Sequence, residues 1–337
     1  MPGDAGNMAG RFVADRYRGV LIAVIVATAA KFLSEHYGAP AMLMALLLGI
    51  AFNFLSEGGA CQLGIEFSAR TILRIGVALL GVRISIETMI GLGPALILTV
   101  IAGVVLTILF GILAARVLGR SARFGVLTGG AVAICGASAA MAIAAILPKS
   151  ETSERDLTFT VLGVTILSTL AMITYPILTA TFEFDARAAG VFLGGTIHDV
   201  AQVVGAGYSI SEETGDVATL VKLIRVAMLA PVVLVISLIM QRRVATGEDA
   251  KRPPLLPLFV IGFLALGAAN SMGLIPASVT AVLSTGSQWG LLTAIAAVGM
   301  KTSLKTMFDI GGQAIALIVG ETLFIILIIL TGVHLAT

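Results

Sequence analysis

The chain has 337 residues, of which 58% are hydrophobic and only 12% charged, with a formal net charge of +2 and a mean hydropathy of +1.05. A water-soluble domain carries about 25% charged residues, so lipid is the main solvent here. No basic run of the kind nucleic acid requires is present, and Cys61 and Cys135 lack the spacing of a metal site or a disulfide framework.

Residues 1–17 read as a short cytoplasmic tail containing Arg11 and Arg16. The apolar stretch from Val20 reads as a retained first helix, because no small-residue cleavage site follows it and Lys31 and Glu35 come next. A helix needs roughly 20 residues to cross about 30 Å of hydrocarbon. On that measure about eleven transmembrane stretches follow in order: 18–35, 40–56, 66–82, 93–117, 124–148, 157–181, 187–207, 217–240, 255–271, 277–300 and 310–334. The whole chain 1–337 reads as one polytopic membrane domain.

Loop charges orient these stretches, since cytoplasmic loops carry the excess of Lys and Arg. With the N-terminus inside, the loops with Arg116, Arg120 and Arg123, with Arg242, Arg243, Lys251 and Arg252, and with Lys301 and Lys305 all fall inside. The loop with Glu212, Glu213 and Asp216 falls outside, and the C-terminus ends outside. One loop breaks the rule: 149–156 is expected outside yet holds Lys149 and Arg155.

The segment GVRISIETM at 81–89 matches GMKTSLKTM at 299–307 at four of nine positions, with an offset of 218. Both lie between a small-residue helix and a long apolar one, so the repeats extend around 66–117 and 284–335. Seven stretches separate equivalent positions, and an odd number inverts orientation. Inverted repeats are the architecture of alternating-access carriers.

Two stretches carry glycine pairs and polar groups at membrane depth. In 129–140, Gly129, Gly130 and Gly136 weaken the helix, which would free backbone amides beside Cys135 and Ser138 for an anion; the alternative is a small-residue helix packed tightly on its neighbours. In 194–207, Gly194 and Gly195 open a segment with His198, Asp199 and Gln202. Intramembrane ionisable groups are costly and mark transport pathways, so His198 and Asp199 read as proton or ion-coupling groups, or else as hydrogen-bonding struts. Lys222 and Arg225, three residues apart, share a helix face suited to a divalent oxyanion, or pair with Asp199 or Glu321. Arg74 is a further anion contact or a snorkelling interface residue. Glu321, deep in the last helix, neutralises a buried cation or binds a coupling proton.

The segments RIGVALLGVRIS (74–85), GGAVAICGASAA (129–140) and GGTIHDVAQVVGAG (194–207), in this order, resemble the YeiH family of bacterial inner-membrane proteins, also classed as UPF0324 and named for sulfate export. The resemblance spans about 18–335. It implies an all-α fold of the cation/proton antiporter and anion transporter clan, with inverted repeats and broken or re-entrant helices, and it puts functional weight on Gly129, Gly130, Cys135, Gly136 and Ser138 and on Gly194, Gly195, His198, Asp199 and Gln202. It implies a secondary transporter exporting sulfate or a related small sulfur oxyanion, coupled to protons or sodium, in the inner membrane, with a homodimer expected by analogy. The alternatives are a sodium/proton or other cation antiporter and a non-transporting membrane protein. No nucleophile elbow, metal-spaced His/Cys cluster or P-loop appears, so neither an enzyme nor a cofactor is expected.

Overall fold

The structure, a computed structural model, describes residues 4–37, 39–83, 91–148, 150–241, 258–302 and 312–336. Every regular element among these residues is helical. Among the described residues six helices are long and apolar enough to cross a membrane, including Ala14–Tyr37, Gly93–Val117, Ser153–Thr181 and Glu212–Ile239. Most of the matched repeat segments, 84–90 and 303–311, lie outside the described residues.

Two compact units form. The first comprises residues up to 85 with 208–210 and 261–304. Its helices are α1 (Asp4–Tyr37), α2 (Ala41–Ala51), α3 (Gln62–Phe67), α4 (Leu73–Leu79), most of α13 (Leu258–Ser271) and α14 (Ala277–Lys301). Helix α1 extends back to Asp4 through most of the residues expected to be a tail, because adding residues to an existing helix costs no new nucleation. A π-helical turn at Ser68–Ile72 joins α3 to α4, so the expected span at 66–82 changes pitch along its length. Glycines set the spacing. A Cβ on Gly49 of α2 would lie 2.9 Å from the Cα of Gly299 on α14, so the two backbones touch. Lipid offers no hydrophobic drive between helices, and close small-residue contact supplies the packing instead.

The second unit comprises 86–207, 211–260 and 305–337. It holds α5 (Gly93–Val117), α6 (Ala122–Ala133), α7 (Ala137–Ile146), α8 (Ser153–Thr181), α9 (Ala186–Thr196), nearly all of α10 (Val200–Ile210), α11 (Glu212–Ala227), α12 (Leu229–Gln241) and α15 (Gly312–Ala336). Helices α5 and α15 run antiparallel, with Phe110 stacked on Phe324 at 4.3 Å. Gly103 of α5 lies against Ile329 of α15, and Gly111 against Glu321.

The expected spans 124–148 and 187–207 are both broken, and both fold back. In the first, the break falls at Ile134–Gly136, where Gly136 has φ +61° and ψ −126°, a conformation open to glycine and strained for other residues. Beyond it the chain returns: a Cβ on Gly130 of α6 would meet the side chain of Ile143 on α7. At the outer end Arg123 donates to the hydroxyls of Ser150 and Ser153, the latter at 2.5 Å. Helices α6 and α7 are therefore a hairpin with both outer ends on one side. Residues 150–153 thus lie beside the arginine-rich turn at 116–123, not across the bilayer as the span count required. The exception to the loop-charge rule disappears with that placement.

The second break, at Ile197–Asp199, makes a hairpin of α9 and α10. Gly190 near the start of α9 packs against Thr214 and Val217, and Gly207 near the end of α10 packs against Gly215 and Ala218, so both outer ends lie on the first turns of α11. Side chains cap the outer N-termini: Ser121 accepts from the Phe124 amide at 3.2 Å, Asp185 from Ala188 at 2.7 Å and Ser211 from Thr214 at 3.0 Å. Each hairpin is followed by a long helix, α8 or the nearly continuous α11–α12, so the pattern of hairpin plus crossing helix occurs twice with opposite entry sides.

Cysteines introduced at Ser121 and Glu151, in a chain with Cys61→Ser and Cys135→Ser, should react with an impermeant maleimide from the same side of sealed vesicles, and one at Glu213 from the opposite side. Labelling of the first two from opposite sides would exclude the α6–α7 hairpin.

Candidate functional site at the meeting of two hairpin tips

The two breaks meet at the centre of the second unit. A Cβ on Gly136 would lie 3.6 Å from the carbonyl oxygen of His198 and 3.6 Å from Val164, near the middle of α8. Two half-helices, α6 and α9, therefore end in the membrane interior, about 20 Å from either end of the 29-residue α8. The last four carbonyls of a helix have no intrahelical partner, and a helix C-terminus carries roughly half a negative charge. The residues at these ends, 132–134, 194, 197 and 198, are buried, so their carbonyls need donors from the protein.

Lys222 and Arg225 supply them. One turn apart on α11, both are 0% exposed. The Lys222 ammonium donates to the carbonyls of Ile134 at 2.7 Å, Ile197 at 3.0 Å and His198. The Arg225 guanidinium donates through Nε to Ala133 at 2.8 Å, through Nη1 to Gly194 and Ile197 at 3.0 Å each, and through Nη2 to Val132 at 2.6 Å. Six carbonyls from two hairpin tips thus converge on two cations. An ammonium has three donors and a guanidinium five, so Lys222 is saturated and Arg225 nearly so. The shared face expected to grip an oxyanion directly is instead committed to the backbone, because unpaired carbonyls in hydrocarbon cost several kcal/mol each.

The N-terminal halves are arranged differently. Gly136 begins α7 and Asp199 begins α10, and neither makes a side-chain capping bond. Ser138, in the first turn of α7, is exposed and Asp199 is half-buried. Cys135 is buried at the first tip. The hydroxyl oxygen of Ser168, on α8, accepts from the backbone amides of His198 at 3.2 Å and Asp199 at 3.0 Å, which pins the second tip. Thr322 of α15 donates its one hydroxyl hydrogen to the Ile318 carbonyl at 2.7 Å, so its oxygen accepts from His198 Nε2 at 3.0 Å. That network assigns the histidine hydrogen to Nε2 and leaves His198 Nδ1 buried without a hydrogen-bond partner. Gln202 reaches Thr169 at 3.5 Å through Nε2, and its Oε1 is likewise unpartnered.

The remaining expected residues fall in other roles. Gly129 and Gly130 lie inside α6 and Gly194 and Gly195 inside α9, so neither pair forms the break. They are contact points: a Cβ on Gly129 would sit 3.1 Å from the Cα of Ile108, and one on Gly195 2.9 Å from the side chain of Ile329. Arg74 is exposed on α4 in the first unit, and it is not among the residues gathered at the tips. Glu321 is 0% exposed; its Oε1 accepts from Thr128 at 2.7 Å and its Oε2 has no hydrogen-bond partner. Sequence reasoning missed Ser168, Thr322 and Thr128. Their only signal was a hydroxyl in an apolar helix, and most such hydroxyls satisfy themselves on the carbonyl four residues earlier, as Thr165 and Thr174 do here.

These features define a multi-pass helical membrane protein organised around two hairpin tips. A family model described as Conserved hypothetical protein 698 matches residues 18–330, and the chain belongs to this family, the UPF0324 membrane proteins that the three motifs resemble. It is 61% identical over 320 residues to the UPF0324 membrane protein TauZ of Paracoccus denitrificans, covering 94% of this chain and 95% of the relative. A UPF0324 membrane protein of Rhizobium meliloti is 61% identical over 94% of this chain and 92% of its own length. One from Chlorobaculum tepidum is 54% identical over 95% and 90%. No solved structure matches.

Replacing Lys222 by Met keeps the volume and strips two buried carbonyls, those of Ile134 and His198, of their donor, at about 1–3 kcal/mol each, while Ile197 keeps Arg225. The Lys222→Met protein without any ligand should unfold in detergent on the order of 10 °C lower than the parent. An unchanged unfolding temperature would show that Lys222 is not a structural clamp.

Proposed function

We propose that the protein is a secondary active transporter, not an enzyme, that moves a small oxyanion by alternating access, with sulfate or a related sulfur oxyanion as the substrate class. The observation that carries this reading is the occupation of six tip carbonyls by Lys222 and Arg225. In broken-helix carriers, half-helix N-termini point at anionic groups while unwound carbonyls coordinate sodium. Here the carbonyls are already taken, whereas the N-termini of α7 and α10 carry no side-chain cap. Each helix end contributes roughly half a charge. The two N-termini and two C-termini cancel, and the two cations outweigh Asp199, so the tips carry a surplus of about one positive charge.

This balance disfavours the cation antiporter as the principal reading. The loop charges support insertion in the bacterial inner membrane with the arginine-rich turn at 116–123 in the cytoplasm, the N-terminus inside and the C-terminus outside. His198, with a buried unpartnered Nδ1, and Glu321, with an unpartnered Oε2, are the groups available for proton coupling.

Purified protein in proteoliposomes should carry labelled sulfate saturably, with the flux responding to an imposed pH gradient and unchanged when sodium is replaced by choline. Gly136→Ala, which strains the first tip, should lower that flux at least tenfold. Sodium-dependent cation flux that sulfate, sulfite and organosulfonates all fail to compete with would refute the anion reading.

A further inference from the structure

The second unit carries a trough of about 730 Å³ that the transport reading does not use. One wall is a stripe on α5 from Val105 through Ile112 to Arg116, and the opposite wall runs from Met228, at the junction of α11 and α12, along α12 to Ile239. Each stripe covers twelve residues, about 16 Å from first to last along a helix, which matches one leaflet of a hydrocarbon core about 30 Å thick. The residues that line it are aliphatic, apart from Met228 and the two arginines, Arg116 and Arg123. Among the described residues no hydroxyl, amide or acidic side chain lines it, so a small polar solute finds nothing to bond along those walls.

Charge is confined to one end. Arg116 sits in the last turn of α5, exposed, and Arg123 in the first turn of α6. Arg123 donates one Nη1 hydrogen to Ser150 and one Nη2 hydrogen to Ser153, which leaves a second hydrogen on each, while its Nε is buried without a partner. Arg120, in the same turn, lies over the Phe124 ring at 5.2 Å. The other end of the trough begins near the middle of the membrane, since Met228 follows Arg225 by less than one turn. An occupant must therefore be apolar over one leaflet and anionic at the headgroup level.

We propose that this trough is a binding site for one anionic phospholipid, with an acyl chain between α5 and α12 and the phosphate held by Arg116 and Arg123. Guanidinium pairs suit phosphate because each offers a planar fork of donors. An extended peptide segment is a poorer fit, because its backbone would need hydrogen-bond partners that the aliphatic walls lack, and a helix offers no anion to the arginine end. The site does not depend on the transport reading. Its position beside the outer ends of α6 and α7 lets a bound lipid brace the foot of the first hairpin.

The test is native mass spectrometry of the delipidated full chain titrated with phosphatidylglycerol or phosphatidylcholine of the same acyl composition. One phosphatidylglycerol should be retained at least tenfold more tightly than phosphatidylcholine. Arg116→Gln should reduce that preference to less than twofold, and Val232→Trp, which fills the trough, should remove the high-affinity lipid while Arg116 and Arg123 remain. Unfolding temperatures of both lipid-free variants should match the parent, which separates loss of binding from loss of fold. Equal retention of the two lipids, or a preference untouched by Arg116→Gln, would overturn the proposal. So would no retention by the parent chain, which means that another protein surface fills the trough. Displacement of the lipid by millimolar inorganic phosphate would also overturn it, leaving an ion site without a chain.

Discussion

Two helix C-termini end inside a membrane, and the rest of the second unit follows from how they are satisfied. The tip residues 132–134, 194, 197 and 198 are buried, and α6 and α9 cannot continue, because Gly136 and the extended Ile197 and Asp199 turn the chain back. Lys222 and Arg225 close the gap by donating to six carbonyls. The exchange works in both directions. Buried cations without counter-charges are prohibitively costly, and here the negative helix ends stabilise them. Neither the tips nor the cations would be stable in this place alone.

That mutual dependence explains the surrounding composition. The tips can meet only if the half-helices approach closely, so glycines occupy the contact points at 129, 190, 194, 195 and 207. The second tip is further held by Ser168 from α8 and Thr322 from α15. With backbone geometry fixed this firmly, the first turns of α7 and α10 are held in place as uncapped amides beside exposed Ser138 and half-buried Asp199. A preorganised set of amides costs little to order when an anion arrives, which is what a carrier needs in order to bind and release quickly.

Much of this was legible in the residues. The shared glycine pairs, His198, Asp199, Gln202, Lys222 and Arg225 all pointed to the region that the tips occupy, because polar groups in an apolar stretch are conspicuous. Their assignments were less legible. Lys222 and Arg225 looked like ligands for an oxyanion, since a face with two cations advertises charge while six backbone carbonyls leave no mark on a sequence. Gly129, Gly130 and Gly136 all looked able to weaken the helix, since helix propensity ranks every glycine alike, whereas the break falls only at Gly136, which has a positive φ. Arg74 stood out for its depth in an apolar stretch, yet it belongs to the other unit.

By itself the sequence determined that the protein lives in lipid, that it is helical, and that polar chemistry gathers within 129–138 and 194–202, because hydropathy and periodicity are local properties of a chain. Only the tertiary structure decided that two apolar stretches turn back instead of crossing. Their length and hydropathy suit both courses equally, and the difference lies in contacts such as Arg123 with Ser150 and Gly130 with Ile143. The same contacts place residues 150–153 beside the arginine-rich turn and so remove the one conflict in loop charge, a conflict the sequence could register but not resolve.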